Sequence, residues 1–161
     1  MCIRDSLAEI AAWAKDQGLS LYQLLQKIYV EYGFSKEKGI SVVKKGKSGA
    51  EEIEAMMKKF RENPLTEIAG SKVTYFYDYS TLKGKDYAEN ETVTLDMPTT
   101  SNVLQYFTED NTKVSIRPSG TEPKIKFYCE VHSKVKSIDE LPEAEKAAEE
   151  KINQIKASLG I

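Results

Sequence analysis

Cysteine and histidine are scarce in this chain, which holds two of the first and one of the second in 161 residues. Cys2 and Cys129 stand far apart with no CxxC pair, so neither a disulfide framework nor a His/Cys metal cluster is expected. A chain without disulfides fits a reducing compartment, and the expected location is cytoplasmic. Neither sign of charge dominates: Lys+Arg 23 against Asp+Glu 25 gives a formal net charge of -2. That balance excludes a generally basic nucleic-acid binder and a strongly acidic tail. No run of about 18 apolar residues exists, so no membrane span is expected. No charged n-region, apolar core and small-residue cleavage site open the chain, so no secretory signal is read either. The sequon Asn90-Glu91-Thr92 is therefore expected to be inert. What is present is a hydrophobic fraction of 40% and a charged fraction of 30%, enough for one domain with its own core.

Residues 1–6 precede an amphipathic helix with no strand or linker between, and are read as a non-native leader. Leu7, Ile10, Ala11 and Ala14 keep helical spacing up to Gly18. Ser20 then caps a second helix whose stripe is Leu21, Leu24, Leu25, Ile28, Tyr29 and Tyr32, ending at Gly33. Residues 7–33 thus form a helical hairpin, which two helices alone cannot bury. Ile40, Val42 and Val43 predict a strand. Ser48-Gly49-Ala50-Glu51 has the S-x-x-E form of a capping box, opening a helix whose buried stripe is Ile53, Met56, Met57 and Phe60 and which Asn63-Pro64 ends.

Gly70 opens a strand in which Val73, Tyr75 and Tyr77 alternate with Thr74, Phe76 and Asp78, and the tyrosines 75, 77 and 79 are read as core or domain-interface packing rather than a stacking surface. Leu82 to Thr92 is polar and reads as an exposed connection, closed by a short strand from Val93 to Asp96. Val103 to Phe107 and Val114 to Ile116 flank a turn at Glu109-Asp110-Asn111 and predict a hairpin. In Lys124 to His132, Ile125, Phe127, Cys129 and Val131 alternate with polar residues, the cleanest period of two in the chain. That phase makes Cys129 packing rather than a nucleophile. A last helix runs from about Asp139 to Leu159, with Pro142 in its first turn and Gly160 beyond its end. The fold class is α+β: a helical hairpin followed by a small, mainly antiparallel sheet domain packed with helices.

One segment carries candidate chemistry. Arg117-Pro118-Ser119-Gly120-Thr121-Glu122-Pro123-Lys124 lies between two alternating strands. Arg117 offers a planar fork for two phosphate oxygens, and Ser119 and Thr121 add hydroxyl donors. Gly120 permits a backbone turn that aims successive amides into one concavity. The flanking prolines limit the freedom lost on binding. Lys126, on the wet face of the next strand, completes a positive pocket. On the residues alone an ordinary polar hairpin turn explains the same string equally well, so both readings stand. Gly46-Lys47-Ser48 lacks the earlier glycine of a P-loop, Ser41 standing there, and is read as helix capping. The aspartates 78, 86, 96 and 110 have no D-x-D spacing and are read as capping or solvated groups rather than a metal site.

The string from Ser115 to Tyr128 resembles the phosphate-binding loop of the α-D-phosphohexomutases, in the C-terminal domain of the phosphoglucomutase/phosphomannomutase enzymes. Similarity extends to the helical pair and to the segment Gly46 to Pro64, and so to nearly all of the chain after the leader. The resemblance implies a TBP-like fourth domain over residues 34–161 that binds the non-reacting phosphate of a hexose phosphate. It makes residues 7–33 a remnant of the preceding sugar-binding domain. Arg117, Ser119, Gly120 and Thr121 match the family's phosphate-loop positions, and Lys126 a position held by Arg or Lys. Lys124-Ile125-Lys126 looks closer to the phosphoglucomutase and phosphopentomutase branches than to phosphoglucosamine mutase.

The family's other motifs are absent: the phosphoserine loop T-x-S-H-N-P, the magnesium loop D-G-D-x-D-R and the sugar-reading segment G-E-x-S-G-H. Phosphoryl transfer needs a carrier and a metal. The resemblance therefore implies a fragment with no cofactor and no activity of its own, magnesium belonging to the full-length enzyme. Its partners would be the hexose phosphate and the missing N-terminal domains, with no nucleic acid and no membrane. The alternative is a free-standing, non-catalytic phosphate-binding or interaction module.

Overall fold

Helical spacing at the start of the chain becomes two helices in the computed structural model, which describes residues 2–44 and 46–161, the Lys47 side chain excepted. Helix α1 spans Ile3–Asp16 and α2 spans Leu21–Tyr32. The first turn of α1 thus takes in residues 3–6, which the sequence had set aside. Gly18, at φ +70°, ends α1 in a Schellman turn: its amide donates to the Lys15 carbonyl at 2.9 Å, and the Leu19 amide to Ala14 at 2.9 Å. Ser20 caps α2 in a reciprocal box, the Gln23 amide donating to its hydroxyl at 3.2 Å while the Ser20 amide donates to Gln23 Oε1 at 2.9 Å.

The remaining elements are β1 (Phe34–Val43), α3 (Gly46–Glu62), β2 (Glu67–Ile68), β3 (Ser71–Asp78), β4 (Lys83–Asp86), β5 (Glu91–Thr94), β6 (Leu104–Thr108), β7 (Lys113–Pro118), β8 (Lys124–Ser133), a 3₁₀ turn at Ile138–Glu140, and α4 (Leu141–Leu159). The strands form one sheet in the order β1-β8-β7-β6-β3-β4-β5, with β2 paired to β3. The pairings β2–β3, β3–β4, β3–β6, β4–β5, β6–β7 and β7–β8 are all antiparallel, so the α+β class is the observed one. No described helix is long and apolar enough to cross a membrane.

Two compact units divide the chain. One takes in the residues up to Ser35 together with Ser133–Ala147, and the other Lys36–His132 with Ala148–Ile161. In the first unit, Tyr29 and Phe34 meet edge to face with ring centroids 5.0 Å apart. Most of the apolar stripe of its helices stays in water: Leu7, Ile10, Trp13, Leu21, Leu25 and Ile28 are all exposed.

The second unit holds the main core. One face of the sheet buries Leu104, Tyr106, Val114, Ile116, Ile125, Phe127, Cys129 and Val131, as the period of two requires. Helix α3 closes over it with Ile53, Met57 and Phe60, the Phe60 and Phe127 rings lying 6.2 Å apart edge to face. The fully buried Tyr106 donates its hydroxyl to the Phe60 carbonyl at 3.0 Å, tying α3 to the sheet. Ile152, Ile155 and Leu159 of α4 are buried in the same unit. Burial pushes the Cys129 thiol up to about 11, consistent with packing rather than nucleophilic use. The opposite face of the sheet stays open.

Three expectations are corrected. Helix α3 begins at Gly46, so Ser48 lies within its first turn and is not its cap. In β3 the alternation changes phase. Val73 pairs with Thr108 but Tyr75 with Phe107, which makes Thr74 an extra, bulged residue. Before the bulge Ser71 and Val73 face the core; after it Phe76 and Asp78 do, and Tyr75 and Tyr77 turn to the open face. Finally, the polar stretch Leu82 to Thr92 is a hairpin at the sheet edge, β4 to β5. Its pairing rests on backbone bonds that polar side chains do not forbid, and Asp86 caps the turn by accepting from the Ala88 amide at 2.9 Å.

Candidate functional site

The β7–β8 hairpin sets the geometry of the candidate loop. Pro118 stands opposite Ile125 and Arg117 opposite Lys126. Ile125 belongs to the core face, so the phase of the strand sends Arg117, Lys126 and Tyr128 to the open face. The Ser119 amide donates to the Lys124 carbonyl at 2.9 Å and closes the turn. From outside, the Lys44 amide donates to the Pro123 carbonyl at 2.9 Å, tethering the turn to the end of β1.

All five expected residues, Arg117, Ser119, Gly120, Thr121 and Lys126, line one cavity of about 400 Å³ with Pro118, Glu122, Lys124 and Tyr128. Arg117, Gly120 and Thr121 are exposed, Ser119 and Lys126 half-buried. Lys124 is already paired with Glu122, whose carboxyl that contact holds below its ordinary range. Among the described residues Arg117 and Lys126 form no ion pair, although Lys126 stands close enough to Glu122 to add to the lowering of its carboxyl. Directly opposed on neighbouring strands, they form the positive end of the cavity. The Gly120 amide donates to no group among the described residues, whereas the Thr121 amide makes a long 3.4 Å contact to the Ser119 hydroxyl oxygen. That hydroxyl keeps its own proton to give.

Gly120 does not use the freedom expected of it: its φ is not positive, and a Cβ added there would meet nothing within 4 Å. The nest is also smaller than expected, because the hairpin consumes the Ser119 amide. The charge balance was partly missed too. Glu122 neutralises Lys124, which the i, i+2 spacing on one strand end makes legible in retrospect. Two further neighbours carry no local signal. Arg61 and Asn102 line a second groove of about 550 Å³ that shares Pro118, Ser119 and Gly120, and they reach it only through the packing of α3. There the Arg61 guanidinium donates to Asp78 Oδ2 at 2.9 Å and to Asn102 Oδ1 at 2.9 Å. Asp78 also accepts from the Ser80 amide at 3.0 Å, and Asp110 accepts from the Thr112 amide at 3.2 Å, so both aspartates are capping groups as expected.

Comparison with known proteins places this chain in a family. The family profile for the phosphoglucomutase/phosphomannomutase C-terminal domain matches residues 40–148. A phosphoglucomutase of Staphylococcus haemolyticus is 37% identical over 118 residues, covering 73% of this chain and 21% of that protein. One of Staphylococcus saprophyticus is 33% identical over 124 residues, 77% of this chain and 22% of that protein. The chain thus spans about a fifth of the length of these relatives. Among solved structures, the open form of the Paramecium phosphoglucomutase pp63/parafusin overlaps 84% of this chain and 23% of that one, with 14% identity and a TM-score of 0.39. The sequence matches carry the assignment. With more than half of its residues matched to that one domain, the chain belongs to the phosphoglucomutase/phosphomannomutase family and carries its C-terminal domain.

Proposed function

We propose that this domain holds the non-reacting phosphate of a hexose phosphate while the rest of a phosphoglucomutase-like enzyme transfers the other. The observation that carries the reading is the convergence of Arg117, Ser119, Gly120, Thr121 and Lys126 on one cavity whose two unpaired cations face each other. A phosphate there would take two guanidinium N–H bonds from Arg117 and a point charge from Lys126. Hydroxyl protons from Ser119 and Thr121 and the unspent Gly120 amide would complete its shell. The relatives' name, phosphoglucomutase, supports a hexose phosphate as the ligand and a place in carbohydrate metabolism.

Catalysis would need the remaining four-fifths of such an enzyme. Magnesium is implied for the whole, yet among the described residues no group of three His, Cys, Asp or Glu side chains could hold a metal ion. The donors present do not fit one. Alone, the chain would be a phosphate clamp without turnover. Its partners would be the hexose phosphate and the missing domains, in a cytoplasmic setting that keeps Cys2 and Cys129 as free thiols.

Charge-assisted hydrogen bonds contribute roughly 1.5–3 kcal/mol each against an association cost of about 4–15 kcal/mol. The isolated loop should therefore bind at roughly millimolar strength, about −4 kcal/mol. Amide NMR titration of the chain with inorganic phosphate tests this. Saturable shifts confined to Arg117 through Lys126, abolished by Arg117→Ala, are expected. A well-folded sample whose loop does not respond would overturn the reading.

A further inference from the structure

A glycine inside a helix weakens it locally, since only proline has a poorer helix propensity. Gly49 stands near the start of α3 and is buried, between the exposed Ser48 and Ala50. Its φ is not positive, so backbone conformation does not require glycine there. Space does. A Cβ on Gly49 would lie 2.6 Å from the Lys44 carbonyl carbon and 2.7 Å from both the carbonyl oxygen and the Cβ of Lys44. Backbone atoms cannot swing aside as the end of a side chain can. The start of α3 therefore rests directly on the Lys44 backbone.

Lys44 is also the residue that holds the phosphate loop from outside. Its amide donates to the Pro123 carbonyl at 2.9 Å, and its ammonium pairs with Glu52 Oε2 of α3 at 3.0 Å. Pro123 stands just before β8, next to the Lys124 carbonyl on which the Ser119 amide closes the turn. With its φ fixed by the ring, Pro123 has one soft dihedral rather than two with which to absorb a shift of its carbonyl. A displacement of Lys44 is thus passed into the turn. The same helix flanks the other end of the loop, where Ala50 and Ile53 share a groove with Pro118, Ser119 and Gly120.

We propose that Gly49 is a positioning residue for the phosphate loop. By letting α3 close onto the Lys44 backbone, it keeps the Lys44 amide on the Pro123 carbonyl and so fixes the turn that presents Ser119, Gly120 and Thr121. Gly49 lies outside the phosphate cavity and acts only through Lys44. The inference rests on the phosphate-binding reading above and adds to it the support that holds the loop in its binding shape.

The test titrates inorganic phosphate into the 161-residue chain, Gly49→Ala and Gly84→Ala, followed by amide NMR. Both variants press a Cβ onto backbone, but Gly84 lies on β4, three strands from β7. Gly49→Ala is expected to raise the Kd for phosphate about three- to tenfold. Gly84→Ala should leave that Kd unchanged although it lowers the thermal midpoint, a contrast that a merely structural glycine at position 49 would not produce. Hydrogen exchange of the parent chain tests the same link without a variant. Against chloride at equal ionic strength, phosphate at about ten times its Kd should slow exchange of the Lys44 amide about tenfold, because binding favours the state in which that bond is made. Should Gly49→Ala fail to fold, the exchange measurement decides by itself. Equal phosphate affinity in Gly49→Ala and the parent, or Lys44 exchange indifferent to phosphate, would overturn this inference and leave the phosphate clamp standing. A parent loop that does not answer phosphate would overturn both.

Discussion

Asp78 and Arg61 form the ion pair whose removal should be felt most. The carboxylate is nearly buried at the end of β3, while the guanidinium on α3 is partly solvated. Burial pushes the Asp78 carboxyl up, but hydrogen bonds from Ser80 and Arg61 outweigh it and leave it below the ordinary range. A carboxylate lowered in the folded state contributes stability above its unfolded value, about 3.9, and loses it as pH falls through the folded one. Urea unfolding at pH 7 is expected to show Arg61→Leu less stable by about 2 kcal/mol, less than for a fully buried pair because Arg61 reaches water. Repeated from pH 5 down to pH 2, the variant should lose less stability to acid than the parent. An equal acid loss in both would assign it to other carboxylates, Asp110 first, which Lys151, Thr108 and Thr112 hold well below its usual range.

At the scale of the element, β3 and β4 depend on a missing side chain. A Cβ on Gly84 would lie 2.4 Å from a Tyr77 ring carbon and 2.9 Å from the Phe76 carbonyl oxygen, so Tyr77 occupies the space that a side chain on β4 would take. Gly84→Ala is expected to cost about 1–3 kcal/mol. At this chain length that lowers the thermal midpoint by roughly 2–10 °C. In a Tyr77→Ala background the penalty should shrink without vanishing, because the backbone contact remains. Calorimetry of the four variants of that cycle checks it. The Thr74 bulge is the second element-scale feature. It moves Tyr75 and Tyr77 to the open face, where Tyr77 packs against Phe107 with centroids 5.3 Å apart.

For the whole molecule, the unit containing α1 and α2 is the weak partner. Trp13 is 55% exposed and Leu7 53%, beside Ile10, Leu21, Leu25 and Ile28, a broad apolar surface in water. The chain is expected to self-associate as its concentration rises, visible as an increasing hydrodynamic radius in light scattering. Leu7→Lys with Leu25→Lys should suppress that increase while leaving the unfolding midpoint of the sheet unit unchanged. A radius that grows equally in the double variant would place the association elsewhere. The contrast with the other unit is one of burial: there each strand between Val114 and Val131 contributes fully buried side chains, and the helices have somewhere to put their stripes.

Local periodicity was sufficient for α1, α2, β6, β7 and β8, because each pattern repeats over a segment that one face of the core selects. Gly18, Ser20 and Gly160 likewise marked their helix ends, since caps are bonds between near neighbours. The loop residues Arg117 to Thr121 and Lys126 were legible for a related reason: two alternating strands with a short turn fix which side chains share a face. The bulge in β3 was not legible, because an extra residue is specified by the partner strand. Nor was the polar hairpin β4–β5, whose pairing is carried by the backbone. The Asp78–Arg61 pair and the hydrogen bonds Tyr79–Gln105–Ser115 also join residues far apart in the chain. The sequence by itself determined β6, β7 and β8, the turn between the last two and the cations that line it. Only tertiary structure decided which neighbours they meet, because those contacts form between segments whose local patterns carry no record of one another.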